Sequence, residues 1–237
     1  MFLSLALVLL VKVSNVILQE VLFQELKYSS MRPRTFYLSP NQEFQVISQV
    51  LCEGMPCPEF SVVQDHPNFI QQRSYRSSKF LKLTAPRLCS LKSVLEDGID
   101  RAEKYIKGAN NREQMYVHTQ PLLIEVDQHT SSKSKNPWCR MSYSANLFIP
   151  HFWGIIATPT KILAEFQEIP ENSQIYVHTF EGNIEKVLLT EIELFRRNLD
   201  SLRLCYKKMK FYVAIYDIPH SPSDSRNELW FLKCSGR

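Results

Sequence analysis

Few side chains here have the types and spacing to do chemistry. Six histidines, His66, His118, His129, His151, His178 and His220, could bind a metal ion such as iron or zinc, or move a proton. Two of them sit in near-identical hexapeptides, QMYVHT at 114–119 and QIYVHT at 174–179, 60 residues apart. Copies of one repeated unit could point both imidazoles at one metal. Near the end of the chain, Glu228 beside Asn227 could serve as a base, with Asp217, Arg226 and Trp230 close in sequence. No nucleophile stands at a recognisable distance from them. There is no G-x-S-x-G, no H-E-x-x-H, and the six glycines form no phosphate-cradling loop. The pattern therefore reads as a binding protein and not an enzyme.

Composition narrows the partners. Of the 237 residues, 44% are apolar and 22% charged, enough apolar material for a buried core. A net charge of +4, with basic residues spread along the chain, argues against nucleic acid. The densest basic cluster, Lys207, Lys208 and Lys210, reads as a solvated surface.

The first apolar run, FLSLALVLLV at 2–11, carries no charge and is too short to span a bilayer. It reads as a secretory signal peptide over 1–18, although no basic residue precedes it and no small-x-small cleavage site follows. The alternative is an uncleaved membrane anchor. A secreted chain without its signal has no stable membrane association. The six cysteines, Cys52, Cys57, Cys89, Cys139, Cys205 and Cys234, are an even number and allow 15 pairings. None forms a C-x-x-C, so zinc has little support. Cys52 and Cys57 bracket EGMP, whose Gly and Pro suit a turn that would join them; free buried thiols are the other reading. Residues 19–56 read as a weakly structured lead-in and 57–234 as the domain.

Two elements would position the chemistry. Leu91, Val94, Leu95, Ile99, Ala102, Tyr105 and Ile106 form one helical stripe; Ile184, Val187, Leu188, Ile192, Phe195, Leu199 and Leu202 form another. Gly108 closes the first helix and Asn183 caps the second. Strand-like segments flank both, giving strand–strand–helix–strand–strand twice, with the helices 93 residues apart. An α+β fold follows, two helices on a mostly antiparallel sheet. QMYVHT comes after its helix and QIYVHT before its own. The hexapeptides are therefore out of register with the repeat and read as two unrelated strands. Strand alternation would set His118 on the face of Tyr116, and His178 with Tyr176 and Phe180.

The motifs in order resemble one family. YIKGAN at 105–110, MYVHTQPL at 115–122, FEG at 180–182, YDIP at 216–219 and RNELW at 226–230 are similar to signatures of the SOUL family of haem-binding proteins. The resemblance implies a distorted antiparallel β-barrel of two similar halves, with the two amphipathic helices outside. It implies a bound haem or related porphyrin and no catalysis. Some members carry a histidine in R-H-Y on the first hairpin as iron ligand; Arg73-Ser74-Tyr75 stands there, and serine does not ligate haem. Others hold the tetrapyrrole in an apolar groove beside the first helix, with basic residues at its rim. Ile99, Ala102, Lys104 and Tyr105 occupy that region, and His118 replaces the family's usual methionine, which makes it the candidate iron ligand. The second reading is a protein-interaction module that kept the fold and lost the tetrapyrrole.

Overall fold

The computed structural model describes residues 52, 54–84, 89–128, 134–160, 164–216 and 226–234. The expectations for the signal segment, for most of the lead-in, and for His129, Asp217 and His220 lie outside the described residues.

Both predicted helices are present: α1 (Leu91–Ile106) and α2 (Ile184–Ser201). The side chain of Ser90 caps α1 by accepting from the backbone N–H of Ser93. Gly108, at φ +103°, takes the left-handed conformation that ends it. Val94, Gly98, Ala102, Tyr105 and Ile106 form the buried stripe of α1; Leu188, Ile192, Phe195 and Leu199 form that of α2. Gly98 permits a close approach, since a Cβ there would lie 2.9 Å from that of Ala145.

Nine strands make one sheet: β1 (Phe60–His66), β2 (Ile70–Tyr75), β3 (Ser78–Thr84), β4 (Leu122–Gln128), β5 (Met141–Ile149), β6 (Ala164–Ile169), β7 (Ser173–Glu181), β8 (Tyr206–Ile215) and β9 (Arg226–Lys233). Every ladder between them is antiparallel, in the order β1-β2-β7-β9-β8-β4-β5-β3-β6. The fold is therefore α+β. No ladder joins β1 to β6 among the described residues, so the hydrogen-bonded sheet is open between these two edges.

Two expectations need correction. The stretch at 69–83 makes two strands, β2 and β3, so the first half carries one strand more than the second. The segment around MYVHT is not a strand, and β4 starts only at Leu122. Its backbone donors are taken elsewhere. The N–H of Tyr116 bonds the Ile106 carbonyl at the end of α1 (2.9 Å), and the N–H of Gln120 bonds the Pro56 carbonyl (2.9 Å). A helix end offers carbonyls that lack partners within the helix, and here it captures the chain that follows.

Side chains alternate across the sheet. One face carries Leu81, Leu83, Ile124, Tyr176, Val213 and Phe231 and packs under both helices. The other carries Phe60, Tyr75, Phe80, Leu123, Ile169, Val177, Tyr212 and Trp230 in a second core. Phe60 lies on β1 and Ile169 on β6, the two edges of the sheet, yet they share this core.

Three disulfides, Cys52–Cys57, Cys89–Cys139 and Cys205–Cys234, use all six cysteines. The expected Cys52–Cys57 pair turns through Gly54, at φ +81°, with the N–H of Met55 on the Cys52 carbonyl (2.7 Å).

Candidate functional site

The C-terminal end of α1 is built around Asn110. Its buried amide donates to the carbonyl of Gln114 (2.7 Å), and its side-chain oxygen accepts from the N–H groups of Arg112 and Gln114. These bonds fold 110–114 into a tight loop and deliver Tyr116 back onto the helix. Gly108 and Asn110 in YIKGAN are therefore turn-forming residues, the first for its left-handed backbone and the second for its side-chain hydrogen bonds.

Tyr116 lies between two rings. It stacks on Tyr105 of α1 (centroids 5.4 Å) and on Trp153 (4.3 Å). The loop at 150–157 is then clamped at one residue, Ala157, through the peptide groups on either side of it. Tyr105 donates its hydroxyl proton to the Ala157 carbonyl (2.8 Å), and the Tyr116 hydroxyl accepts from the Ala157 N–H (2.9 Å). The N–H of Asn111 also bonds the Thr158 carbonyl, and the Thr158 N–H returns a bond to the Asn111 side chain. Two loops are thus fastened together over a ladder of three aromatic rings.

Large apolar side chains project to solvent from both loops. Met115 is 74% exposed, Val117 54%, Phe152 60% and Ile155 68%. Soluble proteins scatter single exposed apolar residues, so four on two joined loops are an unusual concentration. Basic groups stand on the same elements: Lys104 and Lys107 on or beside the last turn of α1, Arg112 on the loop, and His118. Lys104 pairs with Asp100 (2.6 Å) and Lys107 with Glu103 (2.6 Å) across exposed helix surface, where such pairs are easily exchanged.

The residues expected at the site divide. Ala102 and Tyr105 are buried against the sheet, and Ile99 is half-buried on the same core. They support the surface from beneath. Burial pushes the Tyr105 phenol well above its usual value, with Tyr116 adding to the effect, so it stays a neutral donor. Lys104 and His118 are exposed, and His118 places Nδ1 3.5 Å from Oε1 of Glu103. His118 does not share a strand face with Tyr116, because no strand exists there. His178 is the buried one of the pair: on β7 it meets Oε2 of Glu191 on α2 (3.0 Å) and lies 5.3 Å from the Phe195 ring. The hexapeptides thus put their histidines in opposite environments. Among the described residues no group of three or more His, Cys, Asp or Glu side chains could hold a metal ion.

Sequence reading missed Trp153 altogether. The available signal was the apolar run FWGII at 152–156 between two strands, where a connecting loop is usually polar.

The Glu228 cluster lies elsewhere, on the second core face. Both carboxylate oxygens of Glu228 meet the guanidinium of Arg73 (3.0 Å each). Trp230 Nε1–H and the Tyr216 hydroxyl also donate to it (2.8 Å each), and Arg226 reaches it from the surface (3.1 Å). Burial raises the Glu228 carboxyl, but the Arg73 charge and hydrogen bonds outweigh that and hold it at about 2. A carboxylate this acidic and this enclosed is a poor general base. Sequence reading weighed Ser74 in Arg73-Ser74-Tyr75, whereas Arg73 is the residue that bonds Glu228.

The sequence model of the SOUL heme-binding protein family matches residues 55–232, three quarters of the chain. The chain belongs to the SOUL family. A curated relative, heme-binding protein 1 of Xenopus laevis, is 24% identical over 164 residues, covering 69% of this chain and 83% of that protein. Among solved structures, a hydrolase from Listeria innocua aligns with a TM-score of 0.42 at 10% identity, covering 68% of this chain and 90% of its own. The structure of SAV2435 bound to tetraphenylphosphonium aligns at 0.43 and 12%, covering 70% and 93%. At those scores nothing about ligand or chemistry passes from the two structures to this family member.

Proposed function

We propose that this chain binds haem or a related tetrapyrrole, without catalysing a reaction, on the surface formed by the end of α1 and the joined loops at 109–120 and 150–160. The observation that carries the reading is the SOUL match over 55–232, coupled to exposed apolar side chains beside exposed cations. A tetrapyrrole needs an apolar surface for its ring and cations for its carboxylates. Met115, Val117, Phe152 and Ile155 offer the first; Lys104, Lys107 and Arg112 offer the second. His118 is the candidate iron ligand, held near Glu103. Ala102 and Tyr105 keep the supporting helix packed.

The experiment is an absorbance titration of the purified chain with haemin, repeated on His118→Ala. A shifted Soret band in the native chain, with a different band position in His118→Ala, is expected. No Soret shift and no quenching of tryptophan fluorescence would sink the binding reading. The alternative, an interaction module that has lost the tetrapyrrole, draws on the same apolar surface and on His118, Gln120 and Ser74 at altered family positions, Ser74 standing where some members carry histidine. It predicts silence in that titration.

The same reading includes the strand geometry and the compartment. Eight strand spacings of about 4.8 Å would place the edges of a flat sheet roughly 38 Å apart. Phe60 and Ile169 sharing one core supports a sheet curled into the distorted barrel of the resemblance. Three disulfides and the apolar run at 2–11 support secretion, since disulfides persist in oxidising compartments. N-terminal sequencing of protein collected from culture medium tests it: a start near residue 19 is expected, and a retained residue 1 would remove the signal-peptide reading.

A further inference from the structure

Trp153 has an unmet requirement. Only 8% of the residue is exposed, and its indole Nε1 is buried with no acceptor among the described residues. The ring itself is well placed, stacked on Tyr116 at 4.3 Å in a loop clamped through Ala157. A buried donor without a partner is uncommon in folded proteins and costly, so it calls for a specific explanation. A comparison within this chain shows the normal case, since the indole of Trp230 donates to Glu228 at 2.8 Å.

The character of the two joined loops that carry Trp153 and Tyr116 indicates the missing partner. Phe152, its neighbour in the chain, and Ile155 are exposed, as are Met115 and Val117 on either side of Tyr116. An occupant of this surface is therefore mostly apolar. Indole N–H only donates, so the group that meets it must accept. Lys104, Lys107 and Arg112 on the adjoining elements favour an acceptor with negative charge. Gly154, next to the indole in the chain, has φ +66° and nothing within 4 Å of where a Cβ would stand, so the loop is open on that side.

We infer that the Nε1–H of Trp153 donates to a carboxylate of the bound tetrapyrrole, while Phe152, Ile155, Met115 and Val117 cover the ring. The inference rests on the tetrapyrrole reading above and adds a donor that fixes the ligand's orientation. A carboxylate accepting from a buried N–H makes a charge-assisted bond, stronger than a neutral one.

The test compares haemin with its dimethyl ester, which lacks the carboxylates, on the native chain, Trp153→Phe and Phe152→Ser/Ile155→Ser. Phenylalanine keeps one ring in the stack but deletes the N–H together with the rest of the pyrrole ring, so the ester, which has no carboxylate to lose, controls for the lost packing. Trp153→Phe should weaken haemin about tenfold, the loss of one hydrogen bond to a charged group, and change the ester by less than about twofold. The double serine variant alters exposed positions only and should weaken both ligands. Equal haemin affinity in Trp153→Phe and the native chain would overturn the Trp153 assignment alone. So would equal loss for haemin and ester, which would mark a packing role. A native chain that binds neither ligand would overturn the tetrapyrrole reading, and this assignment with it. If Trp153→Phe does not fold, the native chain labelled with nitrogen-15 gives the answer. Its Trp153 indole N–H resonance should move further downfield with zinc protoporphyrin than with the dimethyl ester of zinc protoporphyrin, and equal movement would overturn the assignment.

Discussion

Arg73 and Glu228 stand 155 residues apart in the chain and bond at 3.0 Å, both closed off from solvent. They tie β2 to β9 across the intervening β7, on the face of the sheet turned away from the helices. Two desolvated charges in an aromatic core hold each other's charged state, and the guanidinium also lies 4.3 Å from the Phe60 ring centre.

Removing one partner should therefore cost far more than removing both. Glu228→Leu removes the buried counter-charge of Arg73, which keeps only neutral acceptors such as Gln71, and the carboxylate that Tyr216 and Trp230 donate to, and a loss of about 3–5 kcal/mol is expected. Arg73→Met should cost a similar amount. The double variant should be closer to the native chain than the sum of the two. Urea unfolding of the four chains measures the coupling, and simple additivity would show that the pair does not act as a unit.

Acid should weaken the fold through the same residue. The Glu228 carboxyl titrates at about 2 in the folded chain against an ordinary 4.5. Its contribution is fully present above about pH 4.5 and disappears as pH falls toward about 2, because the unfolded chain takes up the proton first. Glu125 is likewise held below its ordinary value: burial raises it, but Lys210 (2.9 Å) and Lys82 (3.1 Å) lower it further, and its loss acts in the same direction. The urea midpoint should fall steadily across that window. In the Arg73→Met/Glu228→Leu chain the fall should be shallower, and an identical slope would contradict the assignment.

Gly98→Ala should destabilise despite alanine's better helix propensity. The new Cβ would sit 2.9 Å from that of Ala145, which is too close, so α1 must lift from β5. Overpacking of this kind costs about 1–3 kcal/mol, against a propensity gain of about 1 kcal/mol. Ala145→Gly in the same chain should recover part of the loss. Thermal melts of the single and double variants decide it, and a Gly98→Ala chain more stable than native would refute the close approach.

The three disulfides should differ in worth with the length of chain each closes. Cys89–Cys139 spans 50 residues, Cys205–Cys234 spans 29 and Cys52–Cys57 spans 5. Loop-closure entropy predicts about 4, about 3.6 and about 2 kcal/mol. Replacing each pair by serines and measuring unfolding in urea should return that order. A Cys52/Cys57 variant that loses the most would mean that the turn is held in the folded state by its disulfide.

The two helices, the antiparallel α+β class and the family are legible in the sequence by itself, and the Cys52–Cys57 turn is its favoured reading beside free thiols, which the structure resolves in favour of the disulfide. Each is legible from short-range rules: a 3.6-residue stripe, a turn between paired cysteines, alternation along a strand, and motifs in order. The sequence also puts Lys104 and Tyr105 together near the end of the first helix, but it sets His118 on a strand, and only the fold brings that histidine beside Glu103.

Only the tertiary structure decided the rest. MYVHT has the composition of a strand, but the free carbonyl of Ile106 at the end of α1 takes the Tyr116 N–H, and the segment becomes a loop. The similar QIYVHT lies between β2 and β9, and neighbours on both sides make it a strand. One local pattern therefore has two outcomes, because backbone groups bond whatever partner the fold brings near. The pairing of Arg73 with Glu228, and the unmet N–H of Trp153 above Tyr116, follow for the same reason. Both depend on which distant segments meet, and spacing along the chain carries no record of that.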